Sequence, residues 1–311
     1  MKTLFALALG SLCAVAFDGP VREITSQAAR AGNVVVPAFQ NGYIFVLDRA
    51  TVQLFAREGY LAFVAALQVP NGTNPSAQGL AVDSDGSVAV SVACLTQTGL
   101  GGGIVFLDKG GLPAGFMDTG SYMPGNLSYG EDHLLWAIGW QRDAVSSNHP
   151  DRQDYMVVRK YARDRKEAGR YLARSLFPKG LEPGFPRWQR LRIAVAHERV
   201  GLLAWSGENS SQSEWVELNL DGSLIRRVRM ERGDDPNTHL AYTSDGRLFR
   251  QTFGSGNLQV LDQNTPEWKI AGSSPGKQLM GADGTLLVFS NSGLGPINLQ
   301  WFEPPVTSAE K

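Results

Sequence analysis

Cysteine is almost missing from the chain: Cys13 and Cys94 are the two thiols among 311 residues. A disulfide-stapled small domain is therefore excluded, and the fold must be held by packing. Charge of one sign is missing too, since 29 Lys and Arg stand against 30 Asp and Glu for a formal net charge of -1. That balance gives no global attraction to nucleic acid or an anionic membrane, and no nucleic-acid partner is expected. Beyond residue 16 no apolar run approaches the roughly 20 residues that a membrane-crossing helix requires, so no transmembrane span is expected in the mature chain. The four His residues, at 133, 149, 197 and 239, show no close metal-ligand spacing.

The N-terminus carries the pattern of an export signal. Lys2 precedes an apolar run over 4–15, and Ala14-Val15-Ala16 supplies a small-residue cleavage site before Phe17. A signal peptide spanning 1–16 and a secreted or periplasmic product follow as expectations, with a retained N-terminal membrane anchor as the alternative. Leu12 before Cys13 does not suit a lipoprotein site, which wants a small residue there. Cleavage leaves Cys94 alone, and at the end of an apolar strand it reads as a buried small hydrophobe. Asn-x-Ser/Thr sequons at Asn71, Asn126 and Asn209 matter only in a eukaryotic secretory route.

Glycine, by contrast, is abundant at 35 residues, with 16 Pro, which suits short strands separated by turns. The clearest stretch is 79–92, two apolar runs joined at Asp85-Gly86, because tight hairpin turns need the positive φ that Gly adopts freely. Comparable hairpins are read at 21–36, 127–138, 191–205, 240–253 and 279–289. Six such units at intervals averaging about 50 residues fall in the range of propeller blades.

A proline accompanies each unit (Pro20, Pro75, Pro124, Pro186, Pro236 and Pro275) and reads as part of a loop entering the innermost strand. Third strands are expected at 43–48, 103–108, 155–161, 214–220, 257–262 and 297–302. Fourth strands are expected at 51–56, 113–118, 170–176, 223–230 and 268–271. The sixth unit has no room for one, so either it keeps three strands or the segment 21–25 closes the ring. Residues 139–153 read as an insertion suited to a lid or docking loop, and the apolar segment 61–69 is supernumerary in unit one. The predicted fold is all-β, a six-bladed β-propeller over 17–303 with mostly four antiparallel strands per blade and a polar tail at 304–311.

On Gly-Leu-Ala-Val-Asp-Ser-Asp-Gly-Ser-Val-Ala-Val at 79–90, with echoes at 240–249 and 280–288, the chain resembles the six-bladed NHL-repeat and TolB-like propellers. Units three and four depart from the motif, with Gly-Glu-Asp-His and His-Glu-Arg-Val-Gly in place of Asp-Gly. The resemblance implies radial sheets around a channel, a framework that serves binding proteins and enzymes alike.

Polar residues near the prolines are expected to ring one channel mouth: Arg22 or Glu23, Gln78, Asn126, Arg190, His239 and Lys277 or Gln278. Residues 231–239 gather Glu231, Asp234, Asp235, Asn237 and His239, oxygen donors of the kind that Ca²⁺ or another divalent cation takes. Likeness to lactonase-like hydrolases, whose channel metal is held by carboxylate and Asn side chains from different blades, implies Asn126 and Asp235 as metal ligands. No early Glu completes that set. Across 152–199 thirteen Lys and Arg outnumber five acids. Arg159, Lys160, Arg163, Arg165 and Lys166 read there as edge charges that oppose sheet-to-sheet pairing, or alternatively as a polyanion surface.

Two motif matches fail on context. Gly272-Ser273-Ser274-Pro275-Gly276 precedes another hairpin rather than the helix that a nucleophile elbow needs. The Gly99-Leu100-Gly101-Gly102-Gly103 run enters a strand, so it offers no helix N-terminus to a phosphate and reads as a flexible loop. No catalytic residues are assigned and no cofactor is required. The leading reading is an exported propeller that binds a protein, small-molecule or polysaccharide ligand. The alternative is an extracytoplasmic metal-dependent hydrolase working in the channel.

Overall fold

The computed structural model describes residues 19–26, 38–48, 50–56, 58, 60–145, 154–177, 192–196, 198–205, 213–229, 240–243, 245–251, 256–274, 279–282, 285–291 and 297–305. The expected leader, the turn at 31–32, and Pro186, Pro236 and Pro275 lie outside them. Among the described residues, strand β1 (Arg22–Ser26) is followed by six sets of strands in chain order. Blade one is β2 (Ala38–Gln40), β3 (Tyr43–Asp48), β4 (Thr51–Phe55) and β5 (Leu61–Ala66); blade two is β6 (Thr73–Val82), β7 (Val88–Thr96), β8 (Gly99–Leu107) and β9 (Pro113–Asp118). Blade three is β10 (Tyr122–Tyr129), β11 (Leu135–Gln141), β12 (Met156–Tyr161) and β13 (Glu167–Ala173); blade four is β14 (Arg192–Ala196), β15 (Arg199–Trp205), β16 (Ser213–Asn219) and β17 (Leu224–Arg229). Blade five is β18 (Leu240–Tyr242), β19 (Leu248–Gln251), β20 (Asn257–Leu261) and β21 (Trp268–Ser273), and blade six begins with β22 (Leu279–Ala282), β23 (Thr285–Asn291) and β24 (Ile297–Phe302). Each blade is a four-stranded antiparallel sheet, and the fourth strand of blade six is β1, paired to β24. The fold is a six-bladed β-propeller.

Ring closure corrects the expected first unit. The segment 21–36 is not a hairpin of blade one, because β1 pairs with β24 in the register Arg22↔Trp301 to Ser26↔Ile297. Every assignment in blade one therefore moves inward by one strand: 43–48 is the second strand, 51–55 the third, and the supposedly extra segment 61–66 is the ordinary outer strand. The inner hairpin turns at Asn41-Gly42, both at positive φ (49° and 83°), a two-residue Asn-Gly turn of the kind that matches strand twist.

The radial arrangement explains the burial pattern. Middle strands are covered on both faces, so they read as continuous apolar runs: β7 is buried from Val88 to Cys94 and β11 from Leu135 to Trp140. The core accordingly lies between blades. One cluster packs Val52, Leu54 and Phe63 of blade one on Leu80, Val82 and Val90 of blade two, and another packs Trp136, Ile138 and Val158 of blade three on Val200, Leu202 and Val216 of blade four.

Glycines set how closely the blades approach. The run 101–103 is strand, not a flexible loop, because β8 pairs with β7 along its length. A side-chain carbon at Gly102 would stand 2.6 Å from Met123 Sδ of blade three, and one at Gly103 would stand 2.3 Å from the Phe116 ring. Elsewhere planar groups lie on bare glycines: Phe63 on Gly111 and Tyr171 on Gly222 at turns, and Arg165 on Gly115 within β9. Pro75 and Pro124 sit within β6 and β10 rather than before them. The innermost strand has an unpaired edge where a missing N–H breaks no ladder, so proline is admitted there.

Gly222 (φ +86°) and Gly120 (φ +64°) both occupy left-handed turns, but a carbon on Gly222 would meet the Tyr171 ring at 1.8 Å while Gly120 faces open space. Each Gly→Ala change forgoes about 1–2 kcal/mol for the left-handed backbone. Denaturant unfolding should show Gly222→Ala costing clearly more than Gly120→Ala, the surplus measuring contact between blades three and four. Equal costs would contradict that packing.

Candidate functional site

Six turns share one geometry, and it builds the site. In 83–87, 108–112, 130–134, 162–166, 219–223 and 243–247 the first residue's N–H donates to the fifth residue's carbonyl, and the fourth residue's N–H returns to the first carbonyl. The fourth position is left-handed each time, at φ between 60° and 86°. Glycine is the ordinary occupant of such a position, as at Gly86, Gly111, Gly222 and Gly246. Blade three departs from this, with His133 in one turn and Arg165 in the other. The third position is the more constant signal: Asp85, Asp132, Asp164, Asp221 and Asp245 each accept the fifth residue's N–H, at 2.8–3.3 Å. A search for that Asp, rather than for Asp-Gly, finds the 130–134 turn, the departure in unit three, and the 162–166 turn; the unit-four departure at 197–201 has no such Asp.

His133 and Arg165 line the same crevice of about 270 Å³ between blades two and three. Its apolar lining is Val88, Phe106, Leu107 and Leu135, and its polar lining includes Asp83, Asp85, Ser87, Asp108, Tyr129 and Arg163. His133 Nδ1 stands 2.8 Å from Asp83 Oδ1, which also accepts the Ser84 N–H at 2.7 Å. Asp83 is buried, and this contact joins the two blades through their inner turns. Arg165 lies 4.6 Å above the Phe106 ring and donates to the Ala114 carbonyl at 2.7 Å. Asp85 is held below the usual carboxylate range, first by hydrogen bonds from Ser87 and then by the fields of His133 and Arg163. Burial, reinforced by Asp83 and Asp85, pushes the Tyr129 phenol upward, so it stands as an O–H donor at neutral pH.

Three of the basic residues of 152–199 pack inside the protein. Arg159 is buried over the Tyr122 ring and pairs with Glu167, and Lys160 donates to the Leu220 carbonyl while facing the Trp136 ring. Arg159, Lys160 and Arg165 are thus packing groups between strands and blades, not edge charges. Lys166 pairs with Asp164 in solvent, and the exposed Arg163 remains at the crevice rim. Of the expected insertion, 139–141 complete β11 and Arg142–Val145 form a single helical turn; 146–153 lie outside the described residues.

The channel-mouth residues divide. Gln78 and Asn126 lie on neighbouring inner strands, each beside a bulge, but it is Gly79 that meets Asn126, a carbon there standing 3.2 Å from Asn126 Nδ2. Arg22 does not join them: it lies on the outermost strand of blade six, over the Trp301 ring. Arg190, His239 and Lys277 lie outside the described residues, as does Asp235. Asn126 Oδ1 accepts the Ile193 N–H at 3.2 Å, Ser128 Oγ accepts the Val195 N–H at 3.0 Å, and Gln40 Oε1 accepts the Val82 N–H at 2.9 Å. These side chains satisfy the inner-edge backbone of the next blade. Asn126 Oδ1 thus spends one of its two acceptor positions on blade four, and among the described residues no three His, Cys, Asp or Glu side chains gather as a metal set.

Replacing Asn126 by Ala removes the acceptor of a part-buried N–H and should cost about 1 kcal/mol in chemical unfolding. Asn126→Asp, which keeps an oxygen there, should recover most of that loss. Equal loss in both variants would contradict the stitching role.

No protein-family model and no curated protein matches the sequence. Among solved structures the chain is similar to the PQQ-bound form of aldose sugar dehydrogenase from Streptomyces coelicolor. The likeness has a TM-score of 0.51 at 14% identity and covers 91% of this chain and 99% of that one. It is also similar to regucalcin, a calcium-binding protein from Agrobacterium tumefaciens, at a TM-score of 0.50 and 13% identity over 92% of this chain and 95% of that one. At such identities the likeness establishes the β-propeller fold alone.

Proposed function

We propose that the chain is an exported binding module of the NHL-repeat and TolB-like kind, whose ligand seats in the crevice between blades two and three. The observation that carries this reading is the pair of left-handed turn positions filled by His133 and Arg165. Each forgoes the glycine found in the four sister turns, at a cost of about 1–2 kcal/mol, and both side chains line one cavity. Backbone strain of this kind is what a binding site retains when a side chain is needed there. Export rests on the N-terminal pattern of Lys2, the apolar run and Ala14-Val15-Ala16. Among the described residues no helix is long and apolar enough to cross a membrane.

His133→Gly and Arg165→Gly restore the residue that these turns ordinarily hold, so both variants should fold. Ligand-observed NMR against a panel of small acids, polyols and amines should find hits with the natural chain that weaken or vanish in both variants. Hits indifferent to both changes would overturn the assignment of the crevice.

A further inference from the structure

We infer that the crevice takes a small hydroxylated carboxylate, a sugar acid or similar polyol carrying one anionic group; this rests on the binding reading above. Across the crevice Arg163 and Arg165 form no ion pair with Asp85 or Asp108 among the described residues. On one side Arg163 is exposed at the rim, and among the described residues no hydrogen bond or ion pair engages it. Arg165 spends one amino group on the Ala114 carbonyl and keeps its remaining N–H donors. A carboxylate matches two such guanidinium forks better than any neutral group does.

On the other side stand acceptors with unspent capacity. Asp85 accepts both the N–H and the hydroxyl of Ser87, whereas Asp108 Oδ1 accepts the N–H groups of Gly110 and Leu112 and its second oxygen is left for a ligand hydroxyl. His133 commits Nδ1 to Asp83, so Nε2 is the ring atom left over. Tyr129 adds an O–H donor: half-buried, it lines the crevice and, among the described residues, its hydroxyl has no hydrogen-bond partner. A simple anion would offer no hydroxyl to Asp108 and would suffer the repulsion of both carboxylates. A neutral sugar would leave the arginines unmatched. A ligand bearing both a carboxylate and several hydroxyls satisfies both sides within about 270 Å³, room for one small ring or short chain.

The test uses D-glucuronate, D-glucose and acetate as probes, titrated into the folded full chain at low salt by calorimetry. Glucuronate should bind more tightly than either of the others. Arg163→Ala, which removes an exposed side chain with no structural partner, should weaken it about tenfold, as expected for losing one charge-assisted contact. Tyr129→Phe should weaken it by a smaller factor, with circular dichroism unchanged in both variants. Glucose binding as well as glucuronate would overturn the anionic half, and acetate binding as well would overturn the polyol half. Glucuronate that fails to bind, or that ignores both substitutions, would overturn the whole. If that happens while panel hits still depend on His133 and Arg165, the ligand class falls and the binding reading stands. If no panel hit depends on them, both fall.

Discussion

A ring of radial sheets holds together only if its last sheet is completed by chain from the far end, and here β1 does that. The pairing of 22–26 with 297–301 joins residues about 275 positions apart, and side chains repeat the join. Thr25 Oγ1 donates to Asn298 Oδ1 at 3.2 Å, Asn298 Nδ2 donates to Glu23 Oε1 at 2.9 Å, and Arg22 covers the Trp301 ring. Contacts of such sequence separation yield their stability only after the loop entropy of the intervening chain has been met. They also remove what would otherwise be an open edge on β24, able to pair with another molecule.

The inner rim poses the same problem at the opposite end of each blade. An innermost strand pairs on one side only, so its other backbone groups need partners or water. Gln40, Asn126 and Ser128 each supply an oxygen to an N–H of another blade, and Gln40 Nε2 also donates to Ser128 Oγ at 2.8 Å. These polar residues are therefore stitches of the ring. Further out, at the turns, the six-fold repetition of one geometry makes two exceptions visible, and both exceptions face one cavity.

Much of the architecture was legible because blade hairpins repeat a chemical necessity. An Asp that caps the turn and a left-handed residue after it recur along the chain, and the apolar runs behind them are middle strands buried on both faces. Unit one was misread because Ala31-Gly32 resembled a turn, while the true signal, Asn41-Gly42, lay ten residues on. The glycines at 101–103 looked like a loop since composition cannot distinguish glycine kept for freedom from glycine kept for room. Met123 and Phe116 supply the difference, and they come from another blade and another strand. The crevice was illegible for a related reason: His133 and Arg165 are 32 residues apart and became a pair only when two turns of blade three met blade two.

The most direct test of the account is whether β1 and β24 are neighbours in the folded chain. Thr25 and Asn298 are directly opposed across the antiparallel pair, within the span that a disulfide bridges. Mild oxidation of the Thr25→Cys, Asn298→Cys variant should give a 25–298 linkage within one chain, identified by peptide mass spectrometry, together with a higher unfolding midpoint. Two free, readily alkylated thiols at those positions in the native protein would show that the ring is closed some other way.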